Sequence, residues 1–397
     1  MKKSALIFTA SFGHGHIQAA QVLKTECEKN DVDTMIIDLL FELHPFVRNV
    51  LTFSYYRMLI YAPSLWRFLY EQKGERELHF LHKILANLMQ KKLLKFIQEH
   101  KPIFIISTHP FVTIMLASLK QKSIGHVPLY AVMTDFKFHP FFLHHAIDHY
   151  FTADPKFKDE CQAWGINAEK VTYSGIPTSK IDVFNKTKVA LKITDGPVPV
   201  ILITGGGQGI MHYKTLIRAL NDLQQKVMIV CMIGHNLKLE ASINKLRQQS
   251  KHELLIIPFT SHFSSYLQAA NVVITKAGGL TLTEGLLCGK SMLIFKPLPG
   301  HEEDNARFLL EAGACEWTDE AKKVPVIVER LLKNKSHQTL IDKAVDSLKK
   351  PTAAETIVLK IMTFPQKHFH QEANDAAFFA KDEQSKQSLS RRVEQVK

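Results

Sequence analysis

The sequence predicts an α/β protein built of two consecutive doubly wound domains, each a parallel sheet with helices on both faces. Three observations carry this. Short apolar runs alternate with helical patterns through most of the chain, and that alternation gives parallel sheets covered on both faces. The alternation pauses once, near residues 183–197, and then restarts. The chain's 397 residues suffice for two ordinary domains, and 46% hydrophobic with 22% charged residues is a folded composition.

The elements follow in order. Residues 5–9 read as a first strand behind Lys2 and Lys3. That apolar run is too short for a secretory leader and stops at Ser11-Phe12-Gly13-His14-Gly15-His16. A helix over 17–30 and strands over 34–38, 102–107, 128–133, 149–152 and 171–173 complete a first domain, residues 1–185. Within it, residues 41–98 break the pattern. Phe41, Phe46, Phe53, Tyr55, Tyr56, Tyr61, Trp66, Phe68, Tyr70 and Phe80 are interleaved with Arg48, Arg57, Arg67, Lys73 and Arg76. Aromatic and basic residues at helical spacing suit an interfacial amphipathic surface, or equally a helical insertion packed on its own domain.

The second domain, residues 198–350, restarts with a strand over 199–204, a loop Gly205-Gly206-Gly207-Gln208-Gly209 and a helix over 213–224. Strands over 227–232, 254–257, 272–275 and 291–295 continue it. A helix over 352–364 closes the pattern. From Gln366 to Lys397 the chain is polar, the composition of a poorly ordered tail. Two such domains present strand ends to a shared cleft, where ligands of doubly wound folds bind.

Charge and cysteine content narrow the partners. A net charge of +12 and a pI near 9.3 favour an anionic one. No run of five Lys or Arg and no nucleic-acid motif occurs, so nucleic acid ranks last. The five cysteines are scattered, with no C-x-x-C pair, which fits core thiols in a reducing cytosol. No stretch is apolar enough to span a bilayer, so the expectation is a soluble or peripheral protein.

The richest stretch is Thr275-Lys276-Ala277-Gly278-Gly279-Leu280-Thr281-Leu282-Thr283-Glu284, followed by Pro299-Gly300-His301-Glu302-Glu303-Asp304-Asn305. A buried strand runs into a glycine pair at a helix start, which offers free N–H groups and a positive dipole end to phosphate. The glutamate one turn on can accept both hydroxyls of a ribose. In the first loop, Gly13 and Gly15 permit close approach, and His16 at a helix start is a candidate general base. No G-x-G-x-x-G with its acidic partner appears, which argues against a dehydrogenase. Asp135, in Met133-Thr134-Asp135, points to the cleft or merely caps the next segment. Gly207 lies in a tight turn or faces phosphate or acceptor. The histidines at 139, 144, 145 and 149 lack metal-ligand spacing, so no metal is expected. No nucleophile elbow is present.

Taken together and in this order, the glycine/histidine loop, the second-domain glycine loop, T-K-A-G-G-x-T-x-x-E and P-G-x-E-x-x-N resemble the GT-B glycosyltransferases of family 28. Within them the chain resembles the branch of monogalactosyldiacylglycerol synthases and bacterial processive diacylglycerol β-glucosyltransferases, from about residue 4 to about 362. The resemblance implies inverting transfer of a hexose, glucose first, from a UDP-hexose to diacylglycerol, without metal or other cofactor. It implies a peripheral protein on an anionic membrane surface at the cytosolic face, with a C-terminal helix returning to the N-terminal domain. His16 matches the family's first-loop histidine and Asp135 its T-D step. Gly278 and Gly279 match the diphosphate turn and Glu284 the ribose glutamate; His301, Glu302 and Asn305 fall in the motif that contacts sugar and phosphates. The family usually has glutamine where this chain has His301, and it varies at His14. A related transferase with another lipid acceptor, or a UDP-sugar-binding regulator, are the alternatives.

Overall fold

A computed structural model describes residues 3–43, 45–62, 77–139, 142–179, 181, 193 and 198–364. The tail from 366, the pause at 183–197 apart from Ile193, and the stretch 63–76 within the aromatic segment lie outside the described residues. Two six-stranded parallel sheets form. The first holds β1 (Lys3–Thr9), β2 (Val32–Asp38), β3 (Phe104–Ser107), β4 (Leu129–Val132), β5 (His149–Thr152) and β6 (Val171–Tyr173), in the order β2-β1-β3-β4-β5-β6. The second holds β7 (Val200–Thr204), β8 (Met228–Gly234), β9 (Glu253–Pro258), β10 (Val272–Thr275), β11 (Ser291–Phe295) and β12 (Glu316–Thr318), in the order β12-β11-β10-β7-β8-β9.

The strands are near-continuous apolar runs because both of their faces are covered. β7, β8, β10 and β11 are buried at every position. In each sheet the winding direction reverses once, between β1 and β3 in the first and between β7 and β10 in the second. A ligand crevice opens outside the strand ends at such a reversal. The loops that leave those strands include three motif-bearing ones, residues 10–13, 205–209 and 276–278, and a fourth, residues 108–109, that carries no motif.

The first helix begins at His14, three residues before the sequence predicts, because Gly13 in extended backbone serves as its N-cap. His14 and His16 therefore stand in its first turn. The helix predicted over 213–224 stops at Leu220, with Asn221 as its C-cap. β12 and the helices His301–Glu311, Val324–Lys333 and Lys335–Leu348 are additions to the sequence reading.

The two domains are joined twice. The chain leaves the first sheet after Tyr173, and Ile176 is already in the second domain's core. It comes back through Lys350 into the helix Ala353–Thr363. There Ile357, Val358 and Ile361 pack with Ala5, Ile7, Leu23 and Val32 of the first domain. The two crossings touch. Gly175 has φ +82°, and a Cβ on it would come 2.4 Å from Lys350 Cβ, so both conformation and space demand glycine. The Lys350 ammonium sits 4.2 Å over the Tyr173 ring.

Candidate active site

His16 is held by the first domain's own strand ends. Its Nδ1 lies 2.9 Å from the Thr108 carbonyl and 2.7 Å from Thr134 Oγ1. A carbonyl only accepts, so Nδ1 carries the proton and Nε2 keeps its lone pair. Thr108 also donates its hydroxyl to the His16 carbonyl, 3.1 Å, fixing the turn from the other side. Burial lowers the His16 pKa; the Asp135 charge and the Thr108 carbonyl pull it back up, and His301 lowers it. The ring stands edge-on to His109 at 4.4 Å. His109 caps the helix Pro110–Lys122, its Nδ1 accepting from the Phe111 N–H at 3.2 Å, so it too is neutral, and burial holds its pKa well below the usual value.

The Thr134-Asp135 step joins the two domains. Thr134 steadies His16 with its hydroxyl, while its carbonyl meets the second domain at Gly279, where a Cβ would come within 2.1 Å. Asp135 Oδ1 accepts from Asn305 Nδ2 at 2.8 Å. Asn305 is fully buried; its amide oxygen takes the Phe136 N–H at 2.7 Å, and its nitrogen also reaches the Ala277 carbonyl at 3.2 Å. Phe136 stacks on Phe308, ring centroids 5.2 Å apart.

On the second domain, Gly278 is the N-cap of the helix Gly279–Leu287 and supplies no side-chain partner to its first turn. The first N–H groups of this helix have no intrahelical partner, as at any helix start, and Gly278, Gly279, Leu280 and Thr281 line the cleft. A Cβ on Gly278 would meet nothing within 4 Å. Gly278 thus borders open space, whereas Gly279 is glycine because of the opposite domain. Lys276 pairs with Glu302, whose second oxygen takes the Leu298 N–H at 2.8 Å. Glu302 is 1% exposed, so its carboxylate is a strut for Lys276 and for the loop before His301. Glu284, one turn into the helix, has its pKa pushed up to about 7 by burial.

These groups surround two adjoining cavities. One, of about 330 Å³, has Thr204, Met232, Phe259, Thr281 and Glu284 among its walls. The other, of about 150 Å³, is walled by His16, Asp135, Lys276, Gly278 and His301 among others. His14, Gly206, Gly207 and Thr281 line both. Of the residues singled out from sequence, Gly13, Gly15, His16, Asp135, Gly207, Gly278, Gly279, Thr281, Glu284, His301 and Glu302 line one or both. Asn305 sits behind the wall, in the domain junction. Lys276 was visible in the T-K-A-G-G run. Phe259 carries no sequence signal, Tyr55 stands out only as part of the aromatic stretch 41–98, and Thr108 and His109 gain their roles only when β3 ends beside β1. Among the described residues no three of His, Cys, Asp and Glu are grouped to hold a metal ion, and all five cysteines are free thiols.

Fold and cleft together are those of the two-domain GT-B class. A family model described as monogalactosyldiacylglycerol (MGDG) synthase matches residues 16–178, and one described as glycosyltransferase family 28 C-terminal domain matches residues 200–357. The chain belongs to glycosyltransferase family 28, in the branch of those synthases and the bacterial processive enzymes. The processive diacylglycerol beta-glucosyltransferase of Bacillus pumilus is 29% identical over 368 residues, covering 91% of this chain and 94% of that one. That of Bacillus licheniformis is 27% identical over 367 residues, with the same coverage. Acinetobacter baumannii MurG superposes with a TM-score of 0.61 at 16% identity, over 91% of this chain and 100% of the other. S. aureus MnaA, solved with UDP, also gives 0.61 at 16%, over 93% and 100%. These two likenesses concern the fold.

Proposed function

We propose that this enzyme transfers a hexose, glucose first, from a UDP-sugar to diacylglycerol with inversion at the sugar carbon. The observation that carries the reading is the opposition across one cleft of His16 Nε2 and the free helix start at Gly278. The UDP moiety lies along the second domain, its ribose on Glu284 and its diphosphate at the N–H groups after Gly278. As the glycosyl–phosphate bond breaks, negative charge builds on the diphosphate and positive charge on the sugar ring. The helix dipole and the N–H groups stabilise the leaving group, so a metal ion is dispensable. Nε2 takes the proton of the acceptor hydroxyl, whose oxygen attacks the face opposite the phosphate. Asp135 stabilises the imidazolium through space, while Thr108 and Thr134 hold the tautomer and ring. His301 and Lys276 face the sugar end. Glucose, galactose and N-acetylglucosamine donors, each incubated with diacylglycerol vesicles, test this by mass spectrometry: a hexosyl-diacylglycerol is expected, and absence of product from all three would overturn it.

The acceptor side has a matching surface. On the helix Pro45–Tyr61, Phe46, Val50, Phe53, Arg57 and Tyr61 follow one face, and Phe46 and Tyr61 are 70% and 73% exposed. Arg57 lies 4.9 Å over Phe53 and 5.1 Å over Tyr61, and Arg48 lies 4.6 Å over Phe41. Exposed aromatics mixed with arginines suit an anionic lipid surface, from which diacylglycerol reaches the cleft. Among the described residues no helix is long and apolar enough to cross a membrane. We place the enzyme peripherally on such a lipid surface, at the cytosolic face that the family resemblance implies.

A further inference from the structure

At the nucleotide end of the cleft three aromatic rings stack across the domain boundary. His14, first residue of the helix His14–Lys29, lies 5.0 Å from His235 of the second domain, their planes 27° apart. His235 in turn lies flat on Phe259, 4.1 Å away at 16°. His14 itself is 5.8 Å from Phe259. The backbone has been cleared for this ring: a Cβ on Gly207 would come 2.4 Å from His14 Cδ2. His14 and Phe259 both line the larger cavity, beside Glu284.

We propose that His14 and His235 form a cross-domain clasp over the nucleotide, two stacked imidazole rings that retain the donor and release it as His14 takes up a proton. The inference rests on the donor site assigned above. It assigns His14 a positioning role, since the ring touches no reacting atom. Two features make the clasp sensitive to protons. His235, Phe259 and Gly207 of the second domain lie against the His14 ring, so closing the domains takes water from it, and two imidazolium ions at stacking distance repel. Burial first and His235 second lower the His14 pKa from its ordinary 6.5. The open cleft therefore binds protons more readily than the closed one, so closure is favoured above about pH 6.5 and lost as pH falls below it.

The groups facing His14 are few. The Gly205–Gly209 loop brings no titratable side chain, the segment after β8 brings His235, and the segment after β9 brings Phe259. Its own helix carries His16. Glu284 lies across the larger cavity, and Asp135, Lys276, His301 and Glu302 border the smaller one that His14 also lines; all are present in wild type and in a His14 variant, so the variant comparison cancels them.

Calorimetry of UDP-glucose binding to the full chain at pH 7.5 and 5.5 tests the proposal, because the donor's phosphates carry the same charge at both. At pH 7.5 His14→Ala is expected to weaken binding about three- to tenfold, the range of an aromatic pair. His14→Phe keeps a ring without a titrating nitrogen. It should bind within about twofold of wild type at pH 7.5 and weaken at least about threefold less on going to pH 5.5. Equal affinity of wild type and His14→Ala, or equal pH ratios for wild type and His14→Phe, would overturn the clasp. A wild type that binds neither UDP nor UDP-glucose would overturn the donor site, and the clasp with it, which is a distinguishable failure.

Discussion

His16 and Glu284 show how burial sets protonation on the two sides of one cleft. His16, lowered from its ordinary value of 6.5, is neutral at pH 7 and ready to accept a proton. Turnover should therefore fall only on the acid side, as pH drops below about 6.5 and Nε2 is occupied. His16→Ala is expected to lower kcat by about 10²–10⁴ while leaving UDP affinity within roughly twofold, since the donor sits on the other domain; near-normal turnover of a folded variant would remove His16 from the mechanism. Glu284 runs the other way. Raised to about 7, it is half-protonated at neutral pH in the empty cleft. A ribose diol donates two hydrogen bonds and favours the carboxylate. Donor binding at pH 7 should then release a fraction of a proton and weaken as pH falls below 7. Calorimetry in buffers of different ionisation enthalpy reads the proton directly, and a heat independent of buffer would place the ribose elsewhere.

The start of the helix Gly279–Leu287 separates two uses of glycine that look alike in sequence. Gly279→Ala places a methyl 2.1 Å from the Thr134 carbonyl and must push the domains apart. Gly278→Ala meets open space, so the empty protein should melt as wild type does, while UDP binding falls because the methyl occupies the phosphate's approach. Thermal shift with and without UDP distinguishes the two variants. On the helix Pro45–Tyr61, Arg48→Glu with Arg57→Glu should weaken binding to phosphatidylglycerol vesicles by about 1 kcal/mol per cation or more. Phe53→Ser should weaken binding to neutral vesicles as well. Unchanged sedimentation for both would exclude this face. Elements of this kind were unevenly legible. β5, β6, β10 and β11 are apolar runs cut off by turn residues, and the periodicity gives their ends to the residue. β12 is three residues, Glu316-Trp317-Thr318, with no alternation to read, and it exists because β11 offers it an edge. Glycine loops at strand ends revealed most of the cleft's lining, because topology alone sends strand ends there. The brace of Thr108, Thr134 and His109 around His16 depends on which strands become neighbours, and no spacing encodes that.

For the whole molecule, the domain junction rests on a small number of buried polar contacts. Asn305 satisfies Phe136 N–H, Ala277 carbonyl and Asp135 at once. Asn305→Ala leaves buried groups without partners, at about 1–3 kcal/mol each. The melting temperature should fall by several degrees and small-angle scattering should report a larger radius of gyration without UDP. If both stay as in wild type, Asn305 is free of the junction and its family-implied place on the donor gains weight. Opening of the cleft is also restrained beside that junction, where Gly175 lies against Lys350 and both border a small cavity with Phe136. Two adjacent covalent crossings act like a pair of hinge pins: they leave the domains a swing about one axis and suppress twist and sideways slip. Each closure then retraces a single arc, and donor and acceptor arrive in the same register without a search over orientations.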